Sequence, residues 1–206
     1  MKYIFIVGAP GSKWSSVSKN IYFSPDIDRT DASPNREYWH SAWGEPQLMH
    51  MGAYFDPGME FGRNFDRMNQ YSQWYNEQEF DRPFSGTGVR IIKSHVFAHH
   101  IDYLKKTWPE SPVVLVERED DACLGWWVKC GNFGITYPDY AEYYQNLPRM
   151  ARRIYDQNAD IKKAREHYTG QTINTNLALA SWLKIAPPPA EYFQRYAESD
   201  IKVTVI

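Results

Sequence analysis

Cysteine is scarce in this 206-residue chain, which holds only Cys123 and Cys130. Seven residues apart on one expected helix, they lie about 10 Å from each other, too far for a disulfide. Both are expected as packing residues in a reducing compartment. No apolar run approaches the roughly 18 residues that a membrane span needs. The opening "MKYIFIVG" carries one lysine and an apolar run too short for a secretory leader, so it reads as the first β-strand of a cytoplasmic protein. Charge of one sign is lacking as well: 23 basic and 25 acidic residues leave a net charge of -2. Bulk charge therefore points to no nucleic-acid partner. A calcium loop is also missing. Asp26, Asp28, Thr30 and Glu37 have its spacing, but Asp31 stands where the turn needs glycine. That stretch reads as a solvated acidic loop.

What is present is an alternation of two patterns. Four segments are rich in β-branched or aromatic residues, namely 2–7, 89–93, 113–117 and 201–206. Their nearly continuous apolar character suits a parallel sheet covered on both faces. Helical spacing is read over 15–22, 98–108, 121–130, 148–168, 175–185 and 190–199. The whole predicts an α/β fold, a three-layer sandwich with a mainly parallel central sheet. Residues 23–87 break the rhythm, with many Asp, Asn, Gly, Pro and aromatic residues. They are read as an irregular insertion within a single domain spanning 1–206. The two cysteines apart, aromatics are plentiful at 16% of the chain.

Three stretches could carry chemistry. The first, "GAPGSKWSS", follows the opening strand from Gly8. A Walker A loop requires G-x-x-x-x-G-K-[ST], and here Lys13 holds the place of the second glycine and Trp14 that of the lysine. Gly8, Gly11, Ser12, Ser15 and Ser16 still offer amides and hydroxyls to a phosphate at a helix start, although an ordinary βα turn would use the same residues. The second, "RIIKSH", delivers Lys93 and His95 to a strand end, where open α/β sheets bind ligands. A neutral His95 there could take a proton from a hydroxyl. His95, His99 and His100 lack a matching cysteine or carboxylate set, so no metal is expected. The third, "VVLVEREDDACLGWW", ends a strand at Glu117–Arg118. Arg118 suits a phosphate fork, Glu117 could hold magnesium in a kinase, and Asp120 and Asp121 suit a helix start.

In this order the three stretches resemble the sulfotransferases that use 3′-phosphoadenosine 5′-phosphosulfate (PAPS). The family opens with a strand and a loop of the type G-x-P-[KR]-S-G-T-T, matched over Gly8–Ser16. Its K-[TS]-H strand end is matched at Lys93–Ser94–His95, and its V-x-R-[DN]-P-x-D-x-x-x-S-[YW]-[YW] segment over Val116–Trp127. Gly11 replaces the basic residue after proline, the third segment is one residue short, and the C-terminal R-K-G-x-x-G-D-W-K signature is absent. The resemblance covers about thirty residues. It implies a P-loop-like fold and transfer of a sulfuryl group from PAPS to a hydroxyl or amine, with 3′-phosphoadenosine 5′-phosphate (PAP) as product and no metal. Gly11, Ser12, Lys13, Trp14, Ser15 and Ser16 would hold the phosphosulfate, and Arg118 the 3′-phosphate. His95 would be the general base, with Lys13 or Lys93 neutralising the bridging oxygen. The acceptor, a small molecule, glycan or peptide, would meet the aromatic segment 36–87, where Trp39, Trp43, Tyr54, Phe55 and Trp74 either line an apolar pocket or are simply core. Two other readings stay open: an ATP-dependent kinase of a small molecule, and a binding protein of the same fold without turnover.

Overall fold

The structure, a computed structural model, describes residues 1–31, 37–39, 46–48, 52–54, 65–129 and 146–206. Its first half runs β1 (Tyr3–Gly8), α1 (Trp14–Tyr22), β2 (Glu37–Trp39), β3 (Pro46–Leu48), β4 (Ala53–Tyr54), α2 (Gln73–Asp81), β5 (Arg90–Lys93), α3 (Ile101–Thr107) and β6 (Val113–Glu117). The second half runs α4 (Asp120–Lys129), α5 (Leu147–His167), β7 (Gln171–Ile173), α6 (Asn176–Leu183) and β8 (Lys202–Val205). Short 3-10 turns occupy Phe65–Gln70, His95–His100, Ala190–Tyr192 and Tyr196–Ser199.

The fold is mixed α/β around a six-stranded sheet of order β4-β5-β1-β6-β8-β7, with β2 and β3 as a separate antiparallel pair. β4, β5, β1 and β6 run parallel, whereas β8 lies antiparallel to both β6 and β7. The apolar run of β1 works because both faces are covered. Tyr3, Phe5 and Val7 point to a core shared with α2, α3 and α5. Ile4 and Ile6 point to one shared with α1 and α6. The period-2 alternation of a strand thus divides one apolar run between two cores.

Several expectations need correction. The last strand, expected in a parallel sheet, pairs antiparallel with β6 in the register Val114↔Val205 to Glu117↔Lys202. The helix expected over 190–199 is two 3-10 turns with extended chain between them. Its backbone serves other elements: Asn176 donates to Tyr192 O at 2.6 Å and accepts from Gln194 N at 2.8 Å, and Tyr196 N donates to Asn174 O at 2.9 Å. The acidic loop is not simply solvated, since Asp28 and Asp31 are buried. Asp28 accepts from Thr30 N and Oγ1 and lies 3.6 Å from Arg90, while Tyr22 donates to Asp31 at 3.0 Å.

Within 23–87 the chain also forms α2, capped by Ser72 accepting from Tyr75 N, and contributes β4 to the main sheet. Helical spacing over α2 is faint because only Asn76 and Phe80 turn inward, while Trp74 and Tyr75 are exposed. Phe80 meets Phe5 at 5.6 Å, Tyr3 at 5.7 Å and Trp108 at 5.4 Å between ring centroids. Asp81 at the helix end accepts from Lys2 at 2.7 Å and Tyr3 OH at 2.9 Å, and also pairs with Arg90. Phe80→Ala removes the hub of that cluster. It should cost about 3–5 kcal/mol, the range for large aromatic truncations in a core, read as a lower midpoint in urea with an unchanged m-value.

Candidate functional site

β5, β1 and β6 are adjacent and parallel, so their carboxyl ends finish along one edge. That register sets Gly8, Lys93 with His95, and Arg118 around a single rim. β1 leaves the sheet at Gly8, where a Cβ would lie 2.5 Å from Ser12 Oγ and 3.2 Å from Val116 O. A turn follows, closed by Ser12 N donating to Ala9 O at 3.0 Å. Gly11 has φ +80°, and a Cβ there would lie 2.0 Å from Cys123 O, so the loop rests directly on the backbone of α4. Lys13 caps α1 in the left-handed conformation, φ 63°, and makes no side-chain bond to the first turn. Ser12 is fully buried, and its hydroxyl has no hydrogen-bond partner among the described residues.

The rim carries two groups of side chains. In the first, His95 is buried beneath Trp14, their rings stacked at 4.0 Å and 22°. Lys93 is also fully buried, its Nζ 5.5 Å from the same Trp14 ring. Because a carbonyl oxygen only accepts, His95 Nδ1–H donates to Gly8 O, at 2.5 Å. The tautomer is thereby fixed, with the basic lone pair on Nε2. Burial pushes the imidazole down to about 3, opposed by the Gly8 bond and assisted by the charges of Lys93 and Arg153. His95 is therefore neutral at ordinary pH.

In the second group, Arg118 braces the loop. Its Nη1 donates to Gly11 O and to Ala122 O, each at 3.0 Å, and its Nη2 reaches Asp200 at 3.2 Å. Lys13 donates to Ser199 O at 3.0 Å and lies 3.5 Å from Asp200. The Trp126 ring lies between cations, with Lys13 Nζ at 5.5 Å, Arg118 Cζ at 5.8 Å and Lys129 Nζ at 5.5 Å. Of the loop serines, Ser16 donates to Gln194 at 2.9 Å, and Ser15 is half-buried at the start of α1.

The candidates thus divide. Trp14, Lys93 and His95 stand together beside Gly8, and Gly11, Lys13 and Arg118 stand together beside Asp200. Lys13 and Lys93, expected to share one task, reach different partners. Glu117 turns away from the loop to Arg165 at 3.3 Å, with its carboxyl raised by burial. His99 pairs with Asp160 at 2.6 Å and His100 donates to Asp66 O at 2.9 Å. Among the described residues no group of three His, Cys, Asp or Glu could hold a metal ion.

Cys123 is buried against Ala9 and Met150, and its thiol is pushed up to about 12 by that burial. Cys130 lies outside the described residues. Of the expected aromatic pocket, Trp74 is 68% exposed on α2. Trp43, Phe55 and the side chains of Trp39 and Tyr54 lie outside the described residues. Sequence reasoning missed Asp200, Gln194 and Arg153. Arg153 could have been suspected from the basic cluster opening α5, whereas Asp200 and Gln194 have no local signal.

Comparison with protein-family models, curated proteins and solved structures gave no match for this chain.

Gly11→Ala should cost about 2–4 kcal/mol, because its Cβ meets fixed backbone at positive φ. Lys13→Gly, which suits the same φ sign without such a contact, should stay within about 1 kcal/mol of the parent in thermal melts. His95 has its folded pKa held below the unfolded value of 6.5. Its contribution to stability is fully present above that pH and declines as pH falls toward about 3, by up to about 1.4 kcal/mol per pH unit. Urea melts from pH 7 to pH 4 should fall less steeply for His95→Gln than for the parent.

Proposed function

We propose that this chain binds a PAPS-type nucleotide at the carboxyl edge of β5, β1 and β6 and transfers its sulfuryl group to a hydroxyl or amine. One observation carries the reading. Loop, lysine–histidine pair and arginine belong to three adjacent parallel strand ends, and His95 Nδ1 is bonded to the first residue of the loop, Gly8 O, at 2.5 Å. The P-loop-like three-layer architecture belongs to the same proposal. It is favoured by helices on both faces of the sheet and by the left-handed Lys13 at the place of the second Walker glycine.

The residues present suit the donor. The Ser12 hydroxyl, orphaned among the described residues, and the start of α1, which no side chain caps, suit its phosphosulfate. Arg118 offers the 3′-phosphate its Nη2 edge, since Nη1 already holds two carbonyls. The donor supplies an activated sulfuryl group, which leaves its bridging oxygen as it bonds to the acceptor. His95 Nε2 receives the acceptor proton, and Lys13 or Lys93 balances the charge left on PAP. Burial is the main reason for the low basicity of His95, and the charges of Lys93 and Arg153 add to it. An anion beside those two cations offsets their share of the shift, the smaller one.

A second reading, nucleotide binding without turnover, is favoured by the Trp14 ring covering His95 at 4.0 Å. Thermal denaturation with PAP, set against ATP plus magnesium, tests the donor class that both readings share. A ligand at 100 times its dissociation constant adds about 2.7 kcal/mol of stability. A rise in midpoint with PAP is expected. A rise with ATP and magnesium alone would replace the proposal by a kinase, and no rise with either removes the nucleotide altogether.

A further inference from the structure

We propose that Asp200 is an internal occupant of the anion position between Lys13 and Arg118, and that a phosphate monoester enters by displacing its carboxylate. The inference rests on the reading above only in taking the ligand to be anionic. Asp200 Oδ2 lies 3.2 Å from Arg118 Nη2 and 3.5 Å from Lys13 Nζ, so one carboxylate oxygen faces both cations. Arg118 has little else to offer, because Nη1 is held by Gly11 O and Ala122 O and its side chain is only 8% exposed. The place that Asp200 Oδ2 holds is thus the one a ligand oxygen would take. Lys129 adds a third cation around the Trp126 ring, 5.5 Å from its centroid, beside Lys13 and Arg118.

The surroundings limit what has to move. Ser199 is anchored through its carbonyl to Lys13 and through its hydroxyl to Gln194, which also receives Ser16 and Asn20. On the other side Ile201 is buried and β8 begins at Lys202. Between these fixed points the Asp200 side chain is 68% exposed. Displacement is therefore a rotation of one side chain into water. The carboxyl is held below its ordinary range by the Arg118 hydrogen bond and then by the Lys13 charge, which keeps it an anion in the position it occupies.

Asp200→Asn gives the cleanest test. Asp200 has φ 55°, a conformation that asparagine also accepts, so the variant keeps its backbone. Asp200→Gly serves as a second variant at the same φ. Calorimetric titration with PAP and, separately, with inorganic pyrophosphate at fixed ionic strength reads the effect. Both variants should bind both ligands about fivefold more tightly than the parent, the scale of exposed ion pairs. Asp200→Glu, which keeps the charge, should bind like the parent. Equal or weaker binding by the charge-free variants, with the parent binding PAP, overturns the role of Asp200 and leaves the donor reading intact. If PAP binds nothing while the variants gain pyrophosphate affinity, Asp200 keeps its role and the donor reading falls. If neither parent nor variants bind either ligand, both fall.

Discussion

Burial of β1 on both faces and pairing on both edges is the constraint from which the rest of the structure follows. Every residue from Tyr3 to Gly8 is buried, with β5 on one side and β6 on the other. A strand so enclosed has no freedom in where it ends. Because its neighbours run parallel to it, their ends cannot drift from its own. The glycine turn after Gly8, the histidine after Lys93 and the arginine after Glu117 are thereby brought to one rim, though far apart in sequence. Gly8 and Gly11 then let the loop lie close enough to touch: Gly8 under Ser12, Gly11 against Cys123.

The electrostatics of the rim are arranged by the same closeness. A histidine held by the Gly8 carbonyl and covered by Trp14 stays neutral, with its tautomer fixed. An arginine that fastens the loop to α4 leaves only one edge of its guanidinium outward. Rigidity and electrostatics here come from one set of contacts. The loop carbonyls that orient His95 and Arg118 belong to Gly8 and Gly11, the residues whose lack of a Cβ shapes the loop.

Much of this could be read in advance, and the rest could not for identifiable reasons. β1, β5 and β6 announce themselves because burial on both faces demands continuous apolar runs. α5 does so because its apolar stripe is long, from Met150 to Ala164. α2 hides because a helix that buries Asn76 and Phe80 alone leaves no stripe. β7 hides because Gln171 and Thr172 are exposed. Residues 190–199 mislead because their backbone bonds to Asn174 and Asn176, a tertiary choice without local trace. In the site, Gly11, Lys13, His95 and Arg118 were legible as motif positions. That Arg118 would brace the loop, and that Trp14 would cover His95, depends on packing between elements distant in sequence.

β8 lies inside the sheet, between β6 and β7, although its residues come long after those of β1, β5 and β6. Until Lys202–Val205 docks, β6 presents an open row of amides and carbonyls, and β7 lacks the neighbour with which it pairs. Such late, non-local closure slows folding and leaves an edge that another chain can capture. Exposure of that edge is therefore confined to states in which the antiparallel strand has not docked. A peptide copying Lys202–Val205 has the sequence to compete for that vacant edge.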